Sequence, residues 1–260
     1  MTIRKNGRTI TTLEQWAEYA GPKRAGQWKD DRSAKEAARC WLAVASPAMP
    51  TEIERLLAGH PAFGAIRSWN AEPELRLPFD DFPGEPRNTD LLVHAQDVHG
   101  EILLAIEAKA DEPFGASVAS TVSAARKRRV KNPRSNGIAR VETLVKAIVG
   151  ATDWEDPRVQ LIRYQLLTAA AGAVKVAESR HIKRVVLLIQ EFKSSLTNDK
   201  KHAANMRTLE QFLLALSGGL ITSVEVEKLY GPFSFGGSSG SERPALYIGK
   251  VIRNLRGESE

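Results

Sequence analysis

The chain has 260 residues, of which 42% are hydrophobic and 26% charged, enough to bury a core and too apolar for a disordered segment or a collagen-like repeat. Thirty-seven Lys and Arg against thirty-one Asp and Glu leave a formal charge of +6, which inclines the surface toward a polyanionic partner. The single cysteine, Cys40, excludes an intramolecular disulfide and a multi-cysteine metal site, and Met1 to Gly7 is charged with no apolar run after it, so the expected location is the cytoplasm.

The first sixty residues read as helical. Three Ser/Thr-x-x-Glu patterns, Thr11 with Glu14, Ser33 with Glu36 and Thr51 with Glu54, announce capping boxes. Gly21-Pro-Lys-Arg-Ala-Gly26 and the pair Pro47 and Pro50 separate the helices. The period then changes. Leu75, Leu77 and Phe79 alternate with Glu74, Arg76 and Pro78, a strand ending near Pro78. Asp80 to Pro86 is a loop by composition, Asp90-Leu-Leu-Val-His-Ala starts a second strand, and Asp97-Val-His-Gly100 is its turn. The uninterrupted apolar run Ile102 to Ile106 marks a central strand covered on both faces.

Glu112 to Gly150 reads as two helices joined by a basic loop at Asn132-Pro133. Asp156-Pro157 opens what is expected to be the longest helix, through Glu178, with Asp at the N-cap and Pro at the first helical position. Arg163, Gln165 and Lys175 make its apolar part, Leu161 to Ala177, too polar to span a bilayer, so no membrane crossing is expected. A buried strand at Val185 to Ile189, a helix from Asn198 to Ser217, and strands at Ile221 to Leu229 and Leu246 to Ile252 complete the order. Gly231 to Gly240 reads as a loop and the tail after Asn254 as frayed. The expectation is a single domain over 1–260, helical over 1–62, with a sheet-containing core over 63–254. Its class is α/β, a mixed central sheet flanked by helices.

Chemistry concentrates on the hairpin. Asp90 opens one strand and Glu107-Ala108-Lys109 closes the next, and alternation puts Glu107 and Lys109 on one face. Ionic groups at the end of a buried strand need pairing or a metal, and two carboxylates form a hard-oxygen site suited to Mg²⁺. A lysine beside them can orient a water or stabilise negative charge developing on a phosphodiester.

Thr89-Asp90 with Glu107-Ala108-Lys109 resembles the signature of the PD-(D/E)XK nuclease superfamily, an Asp on one hairpin strand and (D/E)-x-K on the next; Thr89 stands where that signature usually has proline. Gln160-Leu-Ile-Arg-Tyr164 resembles the Gln-x-x-x-Tyr motif of its RecB-like branch, in which this helix follows the catalytic strands. The resemblance runs by element order from Ser33 to Phe192 and implies a restriction-endonuclease-like fold and Mg²⁺-dependent hydrolysis of DNA phosphodiesters, with Mn²⁺ as an acceptable substitute. It implies Asp90, Glu107 and the Ala108 carbonyl as metal ligands, with Glu36 as the acid from an earlier helix. Lys109 acts on the attacking water or the transition state, and Gln160 and Tyr164 position the site.

Bland readings stand beside these. Glu-x-Lys occurs by chance about once in a chain of this length, and Glu191-Phe-Lys193 is a second instance, read as a strand-end charge reaching solvent. Glu36 is already explained by a capping box with Ser33. Arg126, Lys127, Arg128, Arg129, Lys131 and Arg134 put six cations within nine residues, an arrangement suited to nucleic-acid phosphates. The five histidines lack zinc spacing, and no P-loop or Gly-x-Ser-x-Gly motif is present. The expected partner is nucleic acid, DNA in the first instance, and a homodimer would suit cutting both strands of a duplex. Two alternatives remain open: a catalytically silent nucleic-acid-binding or regulatory protein on the same fold, and an assembly partner whose basic run docks an acidic protein.

Overall fold

Continuous apolar runs at residues 102–106 and 185–189 need cover on both faces, and the fold supplies it with helices. In the computed structural model, residues 1–22, 25–42, 46–151, 153–234 and 243–255 are described. The elements are β1 (Thr2–Lys5), β2 (Arg8–Thr9), α1 (Leu13–Ala20), α2 (Ser33–Leu42), α3 (Thr51–Ala58), β3 (Ser68–Leu77), β4 (Arg87–Asp97) and β5 (Gly100–Lys109). There follow α4 (Val118–Lys131), α5 (Gly137–Leu144), a π-helical turn (Val145–Val149), α6 (Pro157–Gln160), α7 (Tyr164–Ser179), β6 (Arg184–Lys193), α8 (Asp199–Leu216), β7 (Leu229–Phe233) and β8 (Ala245–Asn254).

The strands form one eight-stranded mixed sheet in the order β2-β1-β3-β4-β5-β6-β8-β7. The meander β3-β4-β5 is antiparallel, whereas β6 lies parallel to β5 and β8 parallel to β6. The protein is thus α/β, a mixed sheet flanked by helices. Alternation divides the central strands between two cores. Leu91, Val93, Ile102, Leu104, Val186 and Leu188 pack against α1, α2 and α3, while Leu92, Leu103, Ala105, Leu187 and Ile189 pack against α4, α7 and α8. Residues 1–62 and the later strands therefore share a core instead of standing apart.

Several expectations are corrected. The N-terminal stretch includes β1 and β2, because Ile3 and Ile10 are buried against the sheet. The first capping box is Thr12 with Gln15, one residue later than expected, since Gln15 supplies the amide that Glu14 was to supply with its carboxylate. Ser33 donates to Glu112 (3.1 Å) and α3 has no side-chain cap, so the other two boxes do not form. The long helix is broken: α6 stops after Gln160, and residues 161–163 lie alongside the 116–118 segment, with Val118 N–H donating to Ile162 O (2.8 Å) and Tyr164 N–H to Ala116 O (3.0 Å). Residues 221–228 are not a strand; the penultimate strand is β7, paired with β8. Of the expected loop, 235–240 lies outside the described residues, as does the tail from 256. Among the described residues no helix is long and apolar enough to cross a membrane.

Candidate active site at the ends of the central strands

The ladder between β4 and β5 runs from Asp97↔Gly100 to Leu91↔Ile106 and stops there. One step further, Asp90 Oδ2 accepts the Ala108 N–H at 2.7 Å, so a carboxylate takes the place of the next backbone acceptor. On the other flank Asp90 lies between the pairs Pro73↔Leu91 and Leu75↔Thr89, hence opposite Glu74, whose φ of 49° takes it out of the regular ladder. The register therefore lines up three acids, Glu74, Asp90 and Glu107, across neighbouring strands. Burial, then the charges of Glu107 and Glu74, push the Asp90 carboxyl up to about 7, against the opposing influence of Lys109 and the Ala108 N–H.

Glu107 is 1% exposed and is held from two sides. The Arg87 guanidinium forms an ion pair with its Oε1, and Gln165 Nε2 donates to its Oε2 at 3.0 Å. Lys109, 7% exposed, donates to Gln165 Oε1 at 3.4 Å and lies 5.1 Å from the centre of the Phe114 ring. One amide thus bridges the carboxylate and the ammonium of the Glu-x-Lys pair, its NH₂ and C=O each matched to the right charge. Arg87 also donates to Gln165 O (3.2 Å) and Thr168 Oγ1 (3.4 Å), which ties the start of β4 to the first turns of α7.

The structure brings Asp90, Glu107, Ala108 and Lys109 together, with Ala108 bonded to Asp90 through its N–H, where the expected contribution was its carbonyl. It does not bring Gln160. That residue sits on α6 and donates to Glu155 O (2.8 Å), while Tyr164 begins a separate helix, so the two do not share a face. Tyr164 is half-buried, its phenol pushed up to about 12 by burial, with Arg140, Asp80 and Arg128 around it. The glutamine that reaches the hairpin is Gln165. Glu36 is buried on α2, where its Oε1 accepts from Asp31 N–H (3.0 Å) and pairs with Arg39 (2.7 Å). Among the described residues no three His, Cys, Asp or Glu side chains converge in a way that could hold a metal ion, so Glu36 does not complete a three-acid shell. Glu191 does not reach solvent: it is fully buried between Lys250 Nζ (2.6 Å) and His202 Nδ1 (3.0 Å), because β6 is covered to its end by α8 and β8.

Sequence reasoning missed Gln165, Arg87 and Glu74. Only Gln165 carried a signal. It stands at the head of a stripe, Ala169, Gly172 and Ala173, whose smallness lets α7 approach the sheet, and a polar residue on that stripe must find a partner there.

The basic residues Arg126, Lys127, Arg128, Arg129, Lys131 and Arg134 are all exposed along α4 and the turn after it. Arg126 lies over Trp154, and the charge of Arg128 is felt at Tyr164, at the start of α7. Nearer the hairpin, the loop after Lys109 is held by other cations. Asp111 accepts from Arg32 Nη1 (3.0 Å) and Lys201 Nζ (3.2 Å); burial opposes its ionisation, but these partners hold its carboxyl below the usual range. Glu112 turns inward, accepting from Ala110 N–H (2.7 Å) and Ser33 Oγ (3.1 Å).

A family model described as a domain of unknown function (DUF6946) matches residues 9–254. No curated protein and no solved structure matches the chain.

Proposed function

The chain belongs to the DUF6946 family, and from the site it carries we propose a metal-dependent nuclease that hydrolyses DNA phosphodiester bonds, on a restriction-endonuclease-like arrangement of the sheet. The observation that carries this reading is the single amide of Gln165 holding Glu107 and Lys109 together beside Asp90, at the point where β4 and β5 part. The order of strands supports it: an antiparallel meander bearing the acids, followed by a helical crossover to a parallel strand.

The donor set fits a divalent cation. Asp90 and Glu107 offer hard-oxygen donors; burial first and then the charge of Glu107 raise the Asp90 carboxyl, and a cation between the two would relieve both the desolvation and the repulsion. Asp90 and Glu107 would hold Mg²⁺ or Mn²⁺, which supplies Lewis-acid stabilisation of a phosphoryl oxygen and an acidified water. Lys109, fixed by Gln165 and Phe114, presents its ammonium where negative charge grows on the phosphate. Gln165 keeps Glu107 and Lys109 in fixed relation, and Arg87 neutralises Glu107.

The Arg87 ion pair favours the second reading, a nucleic-acid-binding protein without turnover, because a guanidinium already satisfies the carboxylate that a metal would need. Incubating wild type and Lys109→Ala with plasmid and single-stranded DNA, in Mg²⁺, Mn²⁺ or EDTA, separates them. Cleavage by wild type alone, abolished by EDTA, with DNA binding and thermal melting preserved in Lys109→Ala, is the expected result. DNA binding without cleavage in any metal selects the second reading.

A further inference from the structure

Two residues beyond Lys109, the buried Asp111 carboxylate gathers cations from two remote segments, Arg32 ahead of α2 and Lys201 on α8. The side chain of Asp111 is 8% exposed, whereas those of Arg32 and Lys201 are 45% and 58% exposed. The carboxylate is thus closed off while the cations stand at the surface. Each uses one N–H on Asp111, leaving four donors on the guanidinium and two on the ammonium. The neighbouring Glu112 does not compete for them, since its oxygens hold Ala110 N–H and Ser33 Oγ. Arg32 bonds one oxygen of the carboxylate and Lys201 the other, so the two cations stand side by side, an arrangement that can take one phosphate from both sides. From Lys201 the same helix continues to Arg207, about 9 Å on at about 1.5 Å per residue. There a groove of about 250 Å³ between α8 and the 113–114 segment is lined by Arg207, Arg163 and Gln211.

We infer that Arg32 and Lys201, splayed by Asp111, form a clamp for a backbone phosphate of the nucleic acid, next to the scissile one, with the strand running on over α8. This rests on the nuclease reading and names a contact that the basic run on α4 does not provide. It gives the loop after Lys109 a second purpose, since the residue that orders the clamp belongs to the catalytic strand's own continuation.

The test is fluorescence anisotropy of fluorescein-labelled duplex and single-stranded DNA in EDTA, titrated over a range of KCl, with cleavage in Mg²⁺ measured alongside. For Arg32→Ala/Lys201→Ala, the slope of log K against log salt is expected to shrink in magnitude by about 0.9 on duplex and about 0.7 on single strands, the value for one phosphate, with affinity falling roughly ten-fold at about 0.1 M salt. The charge-conserving Arg32→Lys/Lys201→Arg keeps the wild-type slope. If the pair only ties α2 and α8 to the loop, the alanine variant melts earlier but its slope is unchanged, and that result overturns the clamp while leaving the nuclease reading intact. If wild type neither binds nor cleaves DNA, both fall together.

Discussion

Gln165 acts at the scale of a single amide. It touches Glu107 through a donor and Lys109 through an acceptor, so no other common side chain of its size satisfies both charges. Gln165→Glu puts a carboxylate against Glu107 and Gln165→Ala leaves Glu107 and Lys109 to drift. On the proposed nuclease reading, each is expected to lower the cleavage rate by roughly ten- to hundred-fold, with a smaller change in DNA affinity. Single-turnover cleavage set beside equilibrium binding checks this, and equal losses in both would assign Gln165 to the fold alone. Asp90, Glu107 and Lys109 were legible in the sequence because Glu107 and Lys109 share a face at the close of one strand and Asp90 stands at the opening of the other. Gln165 was obscured because Gln160 fits a motif better, and because nothing in Leu161-Ile-Arg163 announces that the helix breaks there; the break is made by pairing with the distant 116–118 segment.

At the scale of elements, the site depends on how near α7 comes to the sheet. A Cβ at Gly172 would lie 3.2 Å from Leu77 Cβ, and Ala169, Ala170 and Ala173 are fully buried beside it. Gly172→Leu is therefore expected to destabilise the fold by about 1–3 kcal/mol through overpacking and to lower cleavage by more than the loss of folded protein explains, since it lifts Gln165 from the hairpin. Urea unfolding together with activity per folded molecule measures both. Helices read from composition were mostly found in place, because periodicity and polar breaks are local properties. The outer strands β1, β2 and β7 were not, since their formation depends on a neighbour already being there: Thr2↔Asn70, for example, pairs residues from opposite ends of the N-terminal helical region.

Across the whole molecule, the end of the sheet opposite the site is tied together through a buried ion pair. Asp97, at the far end of β4, accepts from both Arg184 Nη atoms (2.7 and 2.8 Å), Gly64 N–H (2.8 Å) and His99 N–H (2.7 Å), joining the hairpin turn, the lead into β3 and the start of β6. Burial alone would raise this carboxyl, yet Arg184 and the two N–H groups hold it well below its ordinary 3.8. Its contribution is therefore complete above about pH 4 and is lost as the pH falls through the lower folded value. Asp97→Asn is expected to cost about 3 kcal/mol or more at neutral pH, a difference from wild type that narrows in acid. Denaturant titrations from pH 7 downward provide the check, and a difference that stays constant down to pH 2 would contradict it. Nothing in Asp97-Val-His-Gly100 beyond a turn pointed to this, because Arg184 arrives from 87 residues away.

The unfinished rung at Ala108 provides the molecule with a built-in reporter. The amides of Ile102 to Ile106 are locked into ladders between two cores and exchange with solvent deuterium only when much of the sheet opens. The Ala108 amide is held by the Asp90 carboxylate instead, so its exchange rate registers the state of that one side chain. Protonating Asp90, or drawing it toward a cation, weakens the bond and speeds exchange at Ala108, while the neighbouring strand amides keep their pace.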